Sequence, residues 1–321
     1  MSLRVLIPTT IELPASDERA EYLAYDPAIP IPAEYHDADV LVGWGIAQSV
    51  LDDAAVRLNR LRLVQLLSAG YENAIQAGFA SQVSIANGRG LHDRPVAEHA
   101  LALILAGARR LHIAFDAQRQ HRWANEIGGV QPEPSPGLFS TLRGARVSIW
   151  GYGSIATTLQ AHLTVLGATV TGIARSPRVV DGVTVVAEDA LGEVLPQTDV
   201  LVMILPSTPD TRKVLNAERL ALLPDHAWLV NVGRGDTVDE AALVAALAAG
   251  HLGGAALDVT TVEPLPADSP LWDAPNLILT PHAAGGRPLD AAALIAANIA
   301  ALDAGEPLRN VVAGPDRPPA G

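Results

Sequence analysis

The chain of 321 residues is 49% apolar and 18% charged, and 22 Lys+Arg against 35 Asp+Glu leave it with a formal charge of −13. It has no cysteine and a single lysine, Lys213, which excludes disulfide frameworks, thiolate nucleophiles and cysteine-ligated zinc and leaves Schiff-base chemistry one candidate. So acidic and lysine-poor a surface argues against nucleic acid or an anionic membrane as a partner, and the length argues for two domains.

Strand pattern begins at once, at Leu3–Ile7, with no basic-then-apolar leader before it, so the expectation is a soluble, unprocessed, cytoplasmic protein. Val40–Val42, Leu61–Leu67 and Val83–Ala86 continue the strand pattern, with a helix at Val50–Asn59 between two of them. Such alternation predicts a parallel sheet covered by helices. Pro95–Arg122, with Ala97, Leu101, Ile104, Ala108, Leu111 and Phe115 as its apolar positions, predicts one long helix with Pro95 in the first turn, long enough to connect two domains. Three prolines at alternate positions within Gly128–Gly137 predict a surface loop.

From Gly144 a second α/β series follows. Strands are predicted at Arg146–Trp150, Thr169–Ile173, Val183–Val186, Asp199–Leu205, Ala227–Val232, Gly254–Val259 and Asn276–Thr280, and helices at Ile155–Leu166, Leu191–Leu195, Ala217–Leu223 and Val238–Ala249. That is enough for a complete doubly wound sheet. Asp290–Ala304 predicts an alanine-rich helix and Gly314–Gly321 a frayed tail. The longest apolar runs, such as Leu101–Ala108 and Val200–Pro206, fall far short of the ~20 residues that span a bilayer.

Directly after the strand ending at Trp150 stands Gly151-Tyr152-Gly153-Ser154-Ile155-Ala156, a G-x-G-x-x-A opening a helix. In that pattern Gly151 makes the tight turn, Gly153 lets backbone approach a pyrophosphate, Ala156 keeps helix and strand close, and the helix N-terminus offers N–H groups to phosphate. Strand, turn, helix and second strand fall in the required order, which predicts dinucleotide binding. The second strand of such a unit commonly ends in an acid that accepts the ribose 2′-hydroxyl; here Ile173 is followed by Ala174-Arg175-Ser176-Pro177-Arg178. Without a carboxylate to repel it, a 2′-phosphate can pair with Arg175 and Arg178, which predicts that NADP(H) is preferred or accepted. Two ordinary solvated loop arginines are the alternative.

Three later segments each close a strand, where open α/β sheets place ligands: Asn231-Val232-Gly233-Arg234-Gly235, Asp258-Val259-Thr260-Thr261-Val262-Glu263-Pro264, and Thr280-Pro281-His282-Ala283-Ala284-Gly285-Gly286. A guanidinium at Arg234 can hold a carboxylate bidentately and polarise an adjacent carbonyl; a helix-flanking surface arginine is the alternative. Reducing a ketone requires a proton at oxygen as hydride reaches carbon, and imidazole suits that task near neutral pH. His282 is the candidate acid, followed by a small Ala283–Gly286 run that leaves room for substrate, and Glu263 is the carboxylate that orients it.

In this order and approximate spacing, the motifs make the sequence similar to the D-isomer-specific 2-hydroxyacid dehydrogenase family over nearly the whole chain. Leu205-Pro206 with Thr208 and Thr211 after a strand, and Asn87–Gly90 through Val96–His99 as a hinge, belong to the same resemblance. It implies an α/β architecture in which a doubly wound Rossmann domain, 97–284, is inserted into a smaller flavodoxin-like substrate domain made of 1–96 and 285–321. It further implies Arg234, Glu263 and His282 as the catalytic set. The implied cofactor contacts are Gly151, Tyr152, Gly153, Ser154 and Ile155, then Arg175, Ser176 and Arg178, then Leu205, Pro206, Thr211, Val232 and Gly233, with Asp258 on the nicotinamide carboxamide. The implied substrate contacts are Ser68, Ala69 and Gly70 in the Ser68–Asn73 loop, where the Ala69 and Gly70 N–H groups would receive the carboxylate, with Arg234 and His282.

The activity so implied is hydride transfer between NAD(P) and a small 2-keto acid, such as glyoxylate or hydroxypyruvate, giving the D-hydroxy acid without a metal. Family members are commonly homodimers, and Ala97–Leu111 suits such an interface, burial within one subunit being the alternative. Glu263 argues against the formate dehydrogenase branch, where glutamine takes that place, Glu72 stands where aspartate is frequent, and Thr260 replaces a common aromatic. Arg89, His92 and Arg94 either meet an anionic substrate tail or, the favoured reading, form surface salt bridges. Two other functions compete: a cofactor-sensing co-repressor of the same fold, and an amino-acid dehydrogenase, which would need a catalytic lysine where Lys213 lies outside the motifs.

Overall fold

The computed structural model describes residues 2–12, 20–130 and 138–317; most of the loop expected at Gly128–Gly137 and the last residues of the tail lie outside them. The chain forms two compact units, Met1–His92 with Arg287–Gly321, and Asp93–Gly286. No helix among the described residues is long and apolar enough to cross a membrane.

The first segment contributes β1 (Leu3–Pro8), β2 (Ala20–Tyr25), β3 (Val40–Gly43), α1 (Gln48–Arg57), β4 (Leu63–Leu66), α2 (Glu72–Gln76) and β5 (Ser84–Ala86). These strands pair in parallel in the order β5-β4-β3-β1-β2. Every residue of β3 and β4 is buried, as a strand covered on both faces requires. The unpredicted β2 is the edge strand, and only Tyr25 in it is buried. The Tyr25 hydroxyl donates to Val42 O at 2.8 Å, and burial pushes its phenol above the ordinary range.

The second unit begins with α3 (Asp93–Ala108) and α4 (Leu111–Arg119), not the single helix expected over Pro95–Arg122. The break is at Arg110, which takes a left-handed conformation, φ 50°. No residue type there forbids helix; the turn places His112 against the ring of Trp228, centroids 5.7 Å apart, so tertiary packing overrides local propensity. Next come β6 (Arg146–Trp150), α5 (Ser154–Val165), β7 (Thr169–Ile173), β8 (Arg178–Val180), β9 (Val183–Val186), α6 (Leu191–Val194), β10 (Val200–Met203), α7 (Ala217–Leu220), β11 (Trp228–Asn231), α8 (Glu240–Ala249), β12 (Gly254–Leu257) and β13 (Leu277–Leu279). Their sheet runs β13-β12-β11-β10-β6-β7-β9-β8, parallel except for the β8–β9 edge pair. Arg178, expected in a loop, thus opens a short edge strand. Because β6 lies inside the sheet with β7 on one side and β10 on the other, the strand order reverses at β6, as in a doubly wound Rossmann sheet.

One face of this sheet is covered by α3 and α5, whose Ala100, Leu103, Ile104, Leu159 and Leu163 pack with Val147, Ile149 and Val202. Leu220, Leu243 and Leu247 from α7 and α8 cover the other face with Leu201, Met203 and Leu229. The chain then returns to the first unit as α9 (Ala291–Ala304) and β14 (Val311–Ala313). Strand β14 adds antiparallel to β5, while Leu294, Ile295 and Ile299 of α9 pack on Leu3, Val5, Val40 and Val42. Asn298, fully buried, donates to Gln65 Oε1 at 2.6 Å and locks the returning helix to β4.

At the amino ends of the central strands, Asp199 accepts from Arg146 N at 2.7 Å and from His226 Nε2 at 2.8 Å, and pairs with the Arg146 guanidinium at 3.3 Å. Burial by itself would raise this carboxyl, but the Arg146 N–H, His226 and the Arg146 side chain outweigh it and hold it below the usual carboxylate range. A carboxyl depressed in the folded state contributes stability that is present above the unfolded value of about 3.9 and is lost as pH falls through the folded one. Asp199→Asn should therefore lower stability by about 1–3 kcal/mol at neutral pH. Thermal melts between pH 7 and pH 3 should show that penalty shrinking below about pH 4.

Candidate active site

The reversal of strand order brings the carboxyl ends of β6, β10 and β11 together. Gly151, immediately after β6, has φ +98°, and a Cβ there would lie 2.4 Å from Ile204 O. Only glycine permits both the left-handed turn and that approach. Gly153 then forms the N-cap of α5 with no side-chain cap, and a Cβ built on it meets nothing within 4 Å. An open, uncapped helix N-terminus beside a tight glycine turn fits a dinucleotide pyrophosphate, with N–H groups and helix dipole directed at the anion. Ser154 Oγ donates to Asp93 Oδ1 at 2.9 Å, and Ala156 is fully buried where α5 meets the sheet.

Around this turn the other expected cofactor residues fall into two groups. The Tyr152 ring is turned into the core, its hydroxyl buried without a partner among the described residues. Burial pushes that phenol upward. Leu205 and Val232 are buried, and Thr211 Oγ1 donates to Pro206 O at 2.6 Å, closing the loop after β10. Arg175 and Ser176 are exposed beyond the end of β7, in a segment, Ala174–Arg178, whose own sequence carries no carboxylate. Arg178 donates from Nη2 to Tyr152 O at 2.7 Å and from Nη1 to Ser176 O at 3.2 Å, so it is fastened to the glycine turn.

The three chemical segments converge within this unit. Asn231, fully buried at the end of β11, accepts from Gly233 N and donates to Arg234 O, each at 3.0 Å. Arg234 Nη1 donates to Gly233 O at 2.8 Å. A Cβ on Gly235 would lie 2.0 Å from the Thr260 carbonyl carbon, so the arginine loop lies backbone-to-backbone against the segment that carries Glu263. Glu263 Oε1 accepts from Thr260 N at 3.0 Å, and Oε2 faces His282 Nδ1 at 2.7 Å. With the carboxylate accepting at both oxygens, Nδ1 carries the hydrogen and Nε2 is the imidazole nitrogen available for chemistry.

His282 itself is held in the left-handed region, φ 51°, which a non-glycine residue tolerates only when its surroundings over-determine it. Its N–H donates to Asp258 O at 2.8 Å and Thr280 O at 3.0 Å. Asp258, 2% exposed, accepts from Thr280 Oγ1 at 2.6 Å and Ala283 N at 2.9 Å on Oδ1, and from Ala284 N at 3.0 Å on Oδ2. Asp258 therefore shapes the turn that presents His282, whatever it offers a cofactor.

A family model described as D-isomer specific 2-hydroxyacid dehydrogenase, NAD binding domain, matches residues 101–284. The chain belongs to the D-isomer specific 2-hydroxyacid dehydrogenases. It is 37% identical over 217 residues to glyoxylate/hydroxypyruvate reductase A of Escherichia fergusonii, covering 67% of this chain and 66% of that protein. Among solved structures, it resembles a D-isomer specific 2-hydroxyacid dehydrogenase from Xanthobacter autotrophicus in complex with NADPH, with TM-score 0.79, 31% identity and 97% and 98% of the two chains covered. An NADPH-dependent glyoxylate/hydroxypyruvate reductase from Sinorhizobium meliloti in complex with NADP matches with TM-score 0.78, 28% identity and the same coverage. This 2-hydroxyacid dehydrogenase is thus an NAD(P)-dependent oxidoreductase with a Rossmann domain, and the co-repressor alternative is not favoured.

Of the remaining expected residues of this dehydrogenase, all but Arg94 lie in the unit formed by the chain's two ends. Ser68 Oγ donates to Gly70 O at 2.6 Å, Asn87 Nδ2 to Ala69 O at 2.8 Å, and Gly88 N to Ser68 O at 2.7 Å. These bonds fix the loop by its carbonyls, and neither Ala69 nor Gly70 donates its N–H to another described residue. His92 corrects the salt-bridge expectation: it is 5% exposed, stacked on Trp44 with centroids 5.5 Å apart, and bonded to Leu67 O at 2.7 Å. Arg89 and Arg94 form no ion pair among the described residues. Sequence reasoning missed His99 and Thr280 as partners of Asp258, at 3.2 and 2.6 Å. The hinge motif contained His99, but no spacing rule links it to a strand end about 160 residues away.

Proposed function

We propose that this dehydrogenase reduces a small 2-keto acid, glyoxylate or hydroxypyruvate, to the D-hydroxy acid with NADPH as the favoured donor. The observation that carries this reading is the 2.7 Å His282–Glu263 pair on a segment packed against the Arg234 loop. The name of the Escherichia fergusonii relative and the NADPH and NADP complexes of the two structural neighbours support the substrate and cofactor choice.

The bound nicotinamide supplies the hydride. Arg234 holds the substrate carboxylate and polarises the keto oxygen, a task to which a planar five-donor group is suited. His282 Nε2 gives its proton to the keto oxygen, and Glu263 fixes the ring through Nδ1 and stabilises the charge that passes through it. In the reverse direction the same nitrogen takes the hydroxyl proton. The N–H groups from Gly151 to Ile155 would hold the pyrophosphate, the loops at Leu205–Thr211 and Val232–Gly233 would line the cofactor, and Asp258 would hold the carboxamide. Arg175, Ser176 and Arg178 receive the 2′-phosphate.

On this reading Asp93–Gly286 is the cofactor unit and the remainder of the chain the substrate unit, working in the cytoplasm as a homodimer. The dimer assignment rests on exposed apolar side chains of the cofactor unit: Leu105, Leu111, Phe115 at 54% and Trp123 at 83% exposure. Most of the Ala97–Leu111 stripe expected at the interface is instead core, with Ala97, Ala100, Leu103, Ile104 and Ala108 buried, so the contact moves to the outer face of α3 and to α4.

His282→Ala should lower kcat about 10²–10⁴-fold on glyoxylate or hydroxypyruvate in a protein of unchanged fold; undiminished turnover would reject the proton-donor role. Arg175→Ala with Arg178→Ala should reduce kcat/KM for NADPH about 10–100-fold while affecting NADH much less, whereas equal losses would leave Arg178 only its bond to the glycine turn. Light scattering should give a dimer mass for the native protein and a monomer mass for Phe115→Glu with Trp123→Glu; a native monomer would remove the dimer.

A further inference from the structure

Helix α3 presents an apolar face to the sheet, yet at the edge of that face His99 is turned inward, its side chain 22% exposed. Its Nε2 lies 3.0 Å from Thr280 Oγ1 and 3.2 Å from Asp258 Oδ1. Of the two contacts the one with Thr280 is the hydrogen bond, and its direction is determined. The carboxylate only accepts, and Thr280 spends its one hydroxyl hydrogen on Asp258 Oδ1 at 2.6 Å, so both atoms facing Nε2 are acceptors and Nε2 carries the hydrogen. His99 is the terminal donor of a chain that passes through Thr280 to a buried carboxylate and, through Ala283 N and Ala284 N, to the turn that presents His282.

We propose that His99 is a positioning residue for proton transfer: by donating to Thr280, whose hydroxyl donates in turn to Asp258, it holds the left-handed turn at His282 in the geometry the reaction uses. The inference rests on the assignment of His282 as proton donor. A part-buried hydroxyl oxygen left short of its donor turns to recover one. Here such a turn of Thr280 loosens its bond to Asp258 Oδ1 and lets the carboxylate shift from Ala283 N and Ala284 N, the bonds that hold a strained backbone in place. Displacement of a reacting group by about 1 Å costs up to 10²-fold in rate, so the effect falls on turnover rather than on substrate binding.

The length of the side chain separates positioning from plain packing. Glutamine carries its amide nitrogen at the reach of Nε2 and can donate there, while asparagine reaches only as far as Nδ1. His99→Ala and His99→Asn should lower kcat on glyoxylate with NADPH about 10–100-fold with KM changed less than about threefold, and His99→Gln should recover most of the loss. In the cofactor-free protein, the His282 imidazole resonances, identified by their absence in His282→Gln, should shift in His99→Ala and return in His99→Gln. Unchanged kcat and unchanged His282 resonances in His99→Ala would overturn the proposal, as would equal losses in all three variants tracking their melting temperatures. Turnover surviving in His282→Ala would reject the proton-donor assignment instead; turnover lost there but normal in His99→Ala rejects His99 alone. Should no keto acid be turned over, the resonances still decide.

Discussion

The chemistry of this dehydrogenase depends on the need of one buried charge for donors. Asp258 sits at the end of β12 almost without solvent, and a carboxylate there is stable only when its oxygens are satisfied. The donors come from the segment after β13, which must curl back so that Thr280, Ala283 and Ala284 reach it. That curl is what places His282 in a left-handed conformation. Asp258 is itself tied through its N–H to Asn231 O at 2.9 Å, and Asn231 in turn locks the Arg234 loop. Five residues beyond Asp258 the chain delivers Glu263 to the imidazole. Arginine, carboxylate and histidine are thus held by one hydrogen-bonded scaffold across three strand ends.

Charge is handled locally rather than globally. At −13 overall, the protein as a whole repels anionic cofactors and keto acids at long range. The cationic groups proposed to meet them are few and stand at the carboxyl ends of strands: Arg234 after β11, and Arg175 with Arg178 beyond β7. Screening by salt limits the reach of the net charge to about 10 Å, so a guanidinium in contact with its ligand outweighs distant carboxylates. Fixing Arg178 to Tyr152 O and Ser176 O reduces the entropy it would lose on pairing with a phosphate.

Much of the scaffold was legible because its central strands are buried on both faces, so β3 and β10 read as short unbroken apolar runs and β4, β6 and β11 as mainly apolar ones that carry Gln65, Ser148 and Asn231. The strands that escaped notice are edges. In β2 the sequence Ala20–Tyr25 buries one side chain, β8 has three residues and no buried one, and β14 is a three-residue antiparallel addition. Edge strands need no continuous apolar signal, since half of each faces water. The helix break at Arg110 was equally invisible, because its cause is a ring contact with Trp228, over 100 residues away. At the site, the glycine turn, Arg234, Glu263 and His282 could be singled out from local motifs at strand ends. The bonds that run from His99 to Thr280 and from Thr280 to Asp258 could not, for they are statements about which side chains meet, and periodicity carries no such information.

The order in which the ribosome releases the chain bears on how the first unit is built. Strands β1 to β5 emerge early, but their sheet lacks β14 and has one face bare until α9 arrives, and the intervening unit of about 200 residues takes roughly 10–40 s to synthesise at about 5–20 residues per second. During that interval Leu3, Val5, Val40 and Val42 have no helix to cover them, whereas Asp93–Gly286 has all its own strands and can close. A nascent chain of this enzyme therefore carries a finished Rossmann unit beside an open apolar sheet, the kind of surface that chaperones bind and that pairs wrongly when left exposed.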